Sequence, residues 1–120
     1  MGRYNKYQAQ RTEVGGITFA SKLEADRYLQ LQLLEQSDTI DSLKLQPEFQ
    51  INQGWINPKN GEKIRSRFYV GDFMYHDKIL ERVIVEDVKG METPEFRLKW
   101  DLVRSQYPQY CFIKVTKDMI

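Results

Sequence analysis

The chain has one cysteine, one histidine and no long apolar run. A lone cysteine, Cys111, excludes an internal disulfide and fits a reducing compartment. It lies in an apolar stretch, where a free cysteine acts as a small core residue. One histidine and no cysteine pair disfavour a zinc site. No stretch approaches the roughly 20 apolar residues of a membrane helix. The first residues, Met1 to Lys6, lack an apolar signal core and the Ser/Thr of a myristoylation signal, so a soluble, cytoplasmic protein is expected. Lys and Arg number 18 against 17 Asp and Glu, a net charge of +1, so any surface for a polyanion must be a local patch. There is no Gly-rich loop ending in Lys-Ser/Thr and no Gly-x-Ser-x-Gly elbow. Repeats, low-complexity tracts and linkers are also missing, and 120 residues suit one domain with one core.

What is present centres on Val83-Ile84-Val85-Glu86-Asp87-Val88-Lys89-Gly90. The β-branched run reads as a strand buried on both faces. It ends in three charges within four positions, although an ionised group taken out of water costs several kcal/mol or more unless it is paired or coordinates a metal. Strand alternation puts Asp87 and Lys89 on one face and Glu86 on the other. Upstream, Phe68 to Tyr75 is a second apolar run with Asp72 in its middle, sharing a face with Val70 and Met74. The link around His76 to Lys78 is short enough for a hairpin, which would bring Asp72 near Asp87. Two carboxylates that close repel unless one stays protonated or a cation sits between them.

Taken in order, residues 1–12 carry Arg3, Lys6 and Arg11 among Tyr4 and Tyr7 with no acid. That is either a flexible basic arm suited to phosphate contact and base stacking or an ordinary solvated terminus. Val14 to Phe19 reads as a small turn or hairpin. Ser21 is a good N-cap, and Glu24 three residues on completes a capping box for a helix to about Gln36. Glu24 also projects near the apolar side of that helix. Leu43 to Ile51 alternates as one half-buried strand, with Pro47 marking an edge or bulge. Gly54 to Lys63 is a loop with an Asn60-Gly61 turn, and its Trp55 either stacks on a base or caps the core. Arg65 and Arg67 share a face and either bind phosphate or are solvated. Thr93-Pro94 starts a helix whose stripe is Phe96, Trp100, Val103 and Tyr107, with Lys99 off the stripe. Tyr110 to Val115 is a last strand. The order α, β, β, β, α, β predicts an α+β fold: a mixed four-stranded sheet, three strands in a meander and a fourth reached through a helical crossover, flanked by helices.

Glu24, Asp72, Asp87 and Lys89 form an all-oxygen set plus one amine. Hard carboxylates suit Mg²⁺ or Mn²⁺, which take few protein ligands and keep waters or phosphate oxygens. Such an ion stabilises charge on a phosphodiester and lowers the pKa of a bound water. His76 reads as a strand-end residue rather than a ligand.

An acid in the first helix, Asp72 in the second strand and Asp87-Val88-Lys89 ending the third resemble the PD-(D/E)XK nuclease superfamily, with its restriction-endonuclease-like αβββαβ core, over Ser21 to Val115. Gly71 stands where that pattern has Pro. The sequence is also similar to a phage-associated family of small proteins, a domain of unknown function, DUF1064. The shared pattern is Gly-Ile-Thr-Phe-x-Ser-x-x-Glu-Ala at Gly16 to Ala25, Leu-x-x-Gln-Pro at Leu43 to Pro47, Asp-Phe-x-Tyr at Asp72 to Tyr75, and Glu-Asp-Val-Lys-Gly at Glu86 to Gly90. More distantly it resembles the TnsA transposase endonuclease and phage junction-resolving endonucleases. The resemblance implies a Mg²⁺- or Mn²⁺-dependent DNA endonuclease for phage DNA processing or branched-DNA resolution. Asp72, Asp87 and the Val88 carbonyl would hold the metal, Lys89 would position the attacking water, and Glu24 would hold a second ion or a metal-bound water. Glu86 would be a bystander or support the site from behind. Arg3, Lys6, Arg11, Arg65, Arg67 and Lys99 are the candidate DNA contacts, and a homodimer would supply two sites for two strands. The alternative is a non-catalytic nucleic-acid-binding or protein-interaction module on the same fold.

Overall fold

The computed structural model describes residues 10–120. Arg3 and Lys6 lie outside the described residues, and Thr12, assigned to the arm, already belongs to a strand. Strands β1 (Thr12–Val14) and β2 (Ile17–Phe19) pair antiparallel across Gly15 and Gly16. Both glycines have positive φ, 57° and 83°, as a two-residue turn of this hand requires. Helix α1 (Lys22–Gln36) follows, and the Ser21 hydroxyl accepts from the Glu24 N–H at 3.1 Å. That is one half of the expected capping box; the Glu24 carboxylate lines a cleft instead.

The central sheet has β3 (Ile40–Leu45), β8 (Phe73–Asp77), β9 (Arg82–Val88) and β10 (Cys111–Val115), in the order β10-β9-β8-β3. The strands β3, β8 and β9 form an antiparallel meander. Helix α2 (Pro94–Gln106) then carries the chain to β10, which runs parallel to β9. The predicted mixed four-stranded sheet and α+β class are what the chain adopts. Thr93 caps α2, its hydroxyl accepting from the Phe96 N–H, with Pro94 next in line.

Alternation along β8 and β9 divides the interior into two cores. Phe73, Tyr75 and Ile84 pack with Ala25 and Leu31 of α1, and with Phe19 and Ile40. Val85 packs on the other face with Trp100 and Val103 of α2. Phe73, Leu31, Val85 and Val103 have no measurable exposure, and each such side chain contributes about 1.5–3 kcal/mol.

The structure differs from the sequence reading between β3 and β8. The single strand expected over Leu43 to Ile51 is two. It breaks at Gln46, which takes a left-handed φ of 50°, and Pro47, and resumes as β4 (Glu48–Asn52). The expected alternation survives: Phe49 and Ile51 are buried, and Lys44, Gln46, Glu48 and Gln50 are exposed. The Asp72 run also splits, into β7 (Arg67–Val70), which pairs with β4, and β8. The two breaks face one another. Gly71 N–H donates to the Pro47 carbonyl at 2.9 Å, and Gln46 N–H to the Asp72 carbonyl at 2.9 Å. A Cβ on Gly71 would sit 3.0 Å from Val85 Cγ1 and 3.4 Å from Pro47 Cγ. This close approach is a physical reason for glycine there. Asp72 therefore does not share a strand face with Val70 and Met74. The predicted loop from Gly54 to Lys63 contains two short strands, β5 (Trp55–Ile56) and β6 (Lys63–Ile64), that pair with each other. Trp55 is half exposed on this ribbon and does not cap the core.

Candidate active site

The ends of β8 and β9 gather the predicted acids. Phe73 pairs with Glu86, which sets Asp72 opposite Asp87 just past the last paired rung. Backbone bonds hold Asp72 there: its N–H donates to the Glu86 carbonyl at 2.9 Å. Its Oδ2 accepts from the Val88 N–H at 2.7 Å. Asp87 is buried on the α2 face. Its Oδ2 accepts from the Tyr69 hydroxyl at 2.5 Å, and its Oδ1 lies 3.1 Å from Lys89 Nζ. Asp87 and Lys89 thus point the same way and Glu86 the opposite way, as strand alternation requires. Lys89 Nζ also lies 4.0 Å from the centre of the Phe96 ring, a cation–π contact that fixes the ammonium from the side.

Two of the clefts that border Lys89 hold the acids. One, of about 580 Å³, is lined by Glu24, Asp72, Val88 and Lys89 with Ser21 and Leu23. The other, of about 270 Å³, is lined by Asp87, Lys89, Tyr69, Phe96 and Lys99. Glu24 and Asp72 line the first and Asp87 the second, and the lysine is common to both.

Charge makes the arrangement costly. Burial first, then Asp87 and Glu24, push the Asp72 carboxyl up from 3.8 to about 8, against the opposing pull of the Val88 N–H and Lys89. Burial also raises Asp87, opposed by Tyr69 and Lys89. Glu24 is raised by burial and by Asp87. Fully ionised, three carboxylates outnumber the ammoniums of Lys89 and Lys114 that act on them, so the group keeps a net negative charge that a cation would offset. The donors are hard oxygens, which fit Mg²⁺ or Mn²⁺. Among the described residues, no group of three or more His, Cys, Asp or Glu is arranged to hold a metal ion. Glu24 therefore does not close a three-acid cage with Asp72 and Asp87. The donor set fits an ion that takes one or two carboxylates and keeps its waters, and it does not fit a site enclosed by protein.

Of the other residues singled out, Arg11 is exposed beside β1. Arg65 and Arg67 are exposed where the ribbon joins β7. Lys99 sits in the Asp87 cleft, its Nζ 3.3 Å from Glu95 Oε1. His76 lies within β8, 3.6 Å from Asp41 and away from the Asp72 end. Glu86 is wholly buried and bound by Arg27 and the Tyr75 hydroxyl.

Sequence reasoning missed Tyr69 and Phe96 as site residues. Both sit in apolar patterns that read as core, which they also are. The only signal for Tyr69 was general: a buried tyrosine hydroxyl needs a partner, and Asp87 lies 18 positions along the chain.

Among the described residues, no helix is long and apolar enough to cross a membrane. No curated protein and no solved structure matches the chain. A family model described as a protein of unknown function (DUF1064) matches residues 4–119. With nearly its whole length inside that match, the chain belongs to the DUF1064 family.

Proposed function

We propose that the protein is a Mg²⁺- or Mn²⁺-dependent DNA endonuclease of the PD-(D/E)XK kind, serving phage DNA processing or the resolution of branched DNA. The observation that carries this reading is the pairing of Asp87 with Lys89 on one strand face at 3.1 Å, with Asp72 held opposite by the Val88 N–H. Asp72 and Asp87 would hold the ion, with the Val88 carbonyl between them and Glu24 reaching one of its waters. When bound, the ion supplies charge neutralisation at a phosphodiester and a water of lowered pKa.

The remaining work falls to the chain's own groups. Lys89 donates a hydrogen bond to an attacking water or to a phosphate oxygen on which negative charge develops; the Phe96 ring keeps its ammonium in place. Tyr69 fixes the Asp87 carboxylate by donating to Oδ2. Val88 N–H does the same for Asp72. Arg65, Arg67, Lys99 and Arg11 would meet the phosphate backbone, with Arg3 and Lys6 from the N-terminal segment. A homodimer would present two sites to two strands.

One observation favours a second reading, a non-catalytic binding module. Both Asp87 oxygens already have protein partners, Tyr69 and Lys89. Labelled linear, flap and four-way DNA, incubated with Mg²⁺ or Mn²⁺, separates the two. The nuclease reading expects cleavage that Asp87→Ala and Lys89→Ala each lower by about 10²–10⁴-fold. Cleavage surviving both substitutions, or no metal binding by the parent protein in a calorimetric titration, rejects it.

A further inference from the structure

We infer that a third cleft beside Lys89 is a seat for a backbone phosphate of the nucleic-acid substrate, filled in the free protein by the chain's own Glu92 carboxylate. The inference rests on the nuclease reading for the identity of the ligand and on separate residues for the site. The cleft measures about 330 Å³ and is lined by Lys89, Glu92, Arg97, Lys114 and Thr116, with Gly90 and Met91. At about 30 Å³ per water molecule, it has room for a phosphate group and part of its hydration.

Three cations line this space with one acid: Lys89 just past β9, Lys114 and Arg97. Lys114 is on β10, in register with Asp87, so it shares the face that carries Asp87 and Lys89. Its Nζ lies 2.9 Å from Glu92 Oε1. It also stands 5.7 Å from the Phe96 ring centre and 5.6 Å from that of Trp100. Lys89 lies over the same Phe96 ring, so two ammoniums lie within about 6 Å of the centre of one aromatic ring. Arg97 adds a guanidinium from the first turns of α2. Cations brought this close repel unless an anion lies among them. The Glu92 carboxyl responds: Lys114 chiefly, then Arg97 and Lys89, hold it below the ordinary carboxylate range.

Glu92 neutralises Lys114 and Asp87 neutralises Lys89, which leaves the Arg97 guanidinium in excess. A phosphodiester brings the same charge as Glu92 with oxygens on more than one side, a better match to a guanidinium and two ammoniums. Glu92 can yield its place. It lies in the segment between β9 and α2, outside regular structure, and its pair with Lys114 is one-third exposed on both sides. Lys89 borders both this cleft and the one holding Glu24 and Asp72. The seat therefore takes a phosphate next to the one under attack and sets the register of the strand.

The test is DNA affinity in EDTA, where no cleavage occurs, read by fluorescence anisotropy across a salt series. Glu92→Gln keeps the shape and removes the resident anion. It should tighten binding severalfold. Lys114→Ala and Arg97→Ala should each weaken it severalfold and lower the salt slope by about 1. Circular-dichroism melts verify that each variant is folded. A plain structural salt bridge predicts that Glu92→Gln and Lys114→Ala lower the melting temperature alike and leave affinity unmoved. That result, or affinity shifting in the same direction for both, overturns the seat. Inorganic phosphate that competes with DNA beyond its ionic strength, relative to chloride, reassigns the cleft to free phosphate and overturns the backbone assignment. Opposite shifts in affinity with no cleavage of any substrate sustain the seat and remove the nuclease reading. Cleavage that depends on Asp87 without opposite shifts does the reverse.

Discussion

Glu86 and Asp87 are neighbours on β9, both buried, and the two faces of the sheet treat them differently. Toward α1, Glu86 accepts from Arg27 Nε at 2.7 Å and from Nη2 at 2.6 Å, and from the Tyr75 hydroxyl. Arg27 is itself anchored to Gln30 at 2.8 Å. A guanidinium fork meets a carboxylate with matched geometry and charge. Toward α2 and the strand end, Asp87 has a neutral tyrosine, one lysine shared with other acids, and Asp72 and Glu24 as like-charged neighbours. One buried acid is balanced and fixed. The other belongs to a group with more acids than cations around it. The first arrangement holds a fold together, and the second has something to gain from a cation.

The sharpest way to break this contrast is to remove one partner from each side. Arg27→Ala strands a fully buried carboxylate, and such losses cost about 3–5 kcal/mol. Asp87→Asn instead relieves repulsion while leaving an oxygen for the Tyr69 hydroxyl, so in EDTA at pH 8 it should cost little or stabilise. Urea unfolding measures both. Equal losses for the two variants would mean that Asp87 is as well balanced as Glu86, and the case for a cation beside it would go.

A smaller effect follows from pH. Asp72 has a folded-state value near 8 against an ordinary 3.8, and Asp87 and Glu24 shift in the same direction. Between those values the folded chain binds more protons than the unfolded chain. Stability therefore falls as pH rises from about 4 to about 8, by at most about 1.4 kcal/mol per pH unit for each excess proton. Solvent reaches Asp72, so the slope should be a fraction of that. In EDTA the melting temperature should be higher at pH 5 than at pH 8, and Asp72→Asn should flatten the trend. Mg²⁺ added at pH 8 should raise it again, because an ion that binds only the folded state stabilises it. A melting temperature that climbs toward pH 8 without metal contradicts this account.

The sequence disclosed the parts of this contrast that depend on local pattern. Alternation in Val83 to Lys89 separated Glu86 from Asp87, and Ser21, Thr93 and Pro94 marked both helix starts. What it could not disclose depends on partners far along the chain. Arg27 and Glu86 are 59 positions apart, and nothing in a helical run marks one arginine as the counterion of a later strand. The double break at Gln46-Pro47 and Gly71-Asp72 was half visible. Pro47 gave the first, but a glycine inside an apolar run does not reveal that Val85 and Pro47 leave no room for a side chain. Placing Asp72 within one unbroken strand followed from missing that contact.

The smallest expected effect separates cations by their position rather than their charge. Lys99 and Arg104 are both on α2, and each pairs with an acid on its own helix: Lys99 with Glu95 at 3.3 Å, Arg104 with Asp101 at 2.8 Å. Such surface pairs contribute only about 0.3–0.5 kcal/mol, so Lys99→Ala and Arg104→Ala should leave the melting temperature nearly unchanged. Lys99 lines the cleft that holds Asp87 and Lys89, and Arg104 packs over Trp100 instead, 5.5 Å from its ring centre. Nucleic acid laid across the Asp87 side would meet the first and bypass the second. Lys99→Ala should then weaken DNA binding by a few-fold and reduce the salt slope by about 1, while Arg104→Ala leaves both unchanged. Equal losses would mean that the helix attracts DNA by its charge alone, and that the Asp87 cleft has no part in placing the backbone.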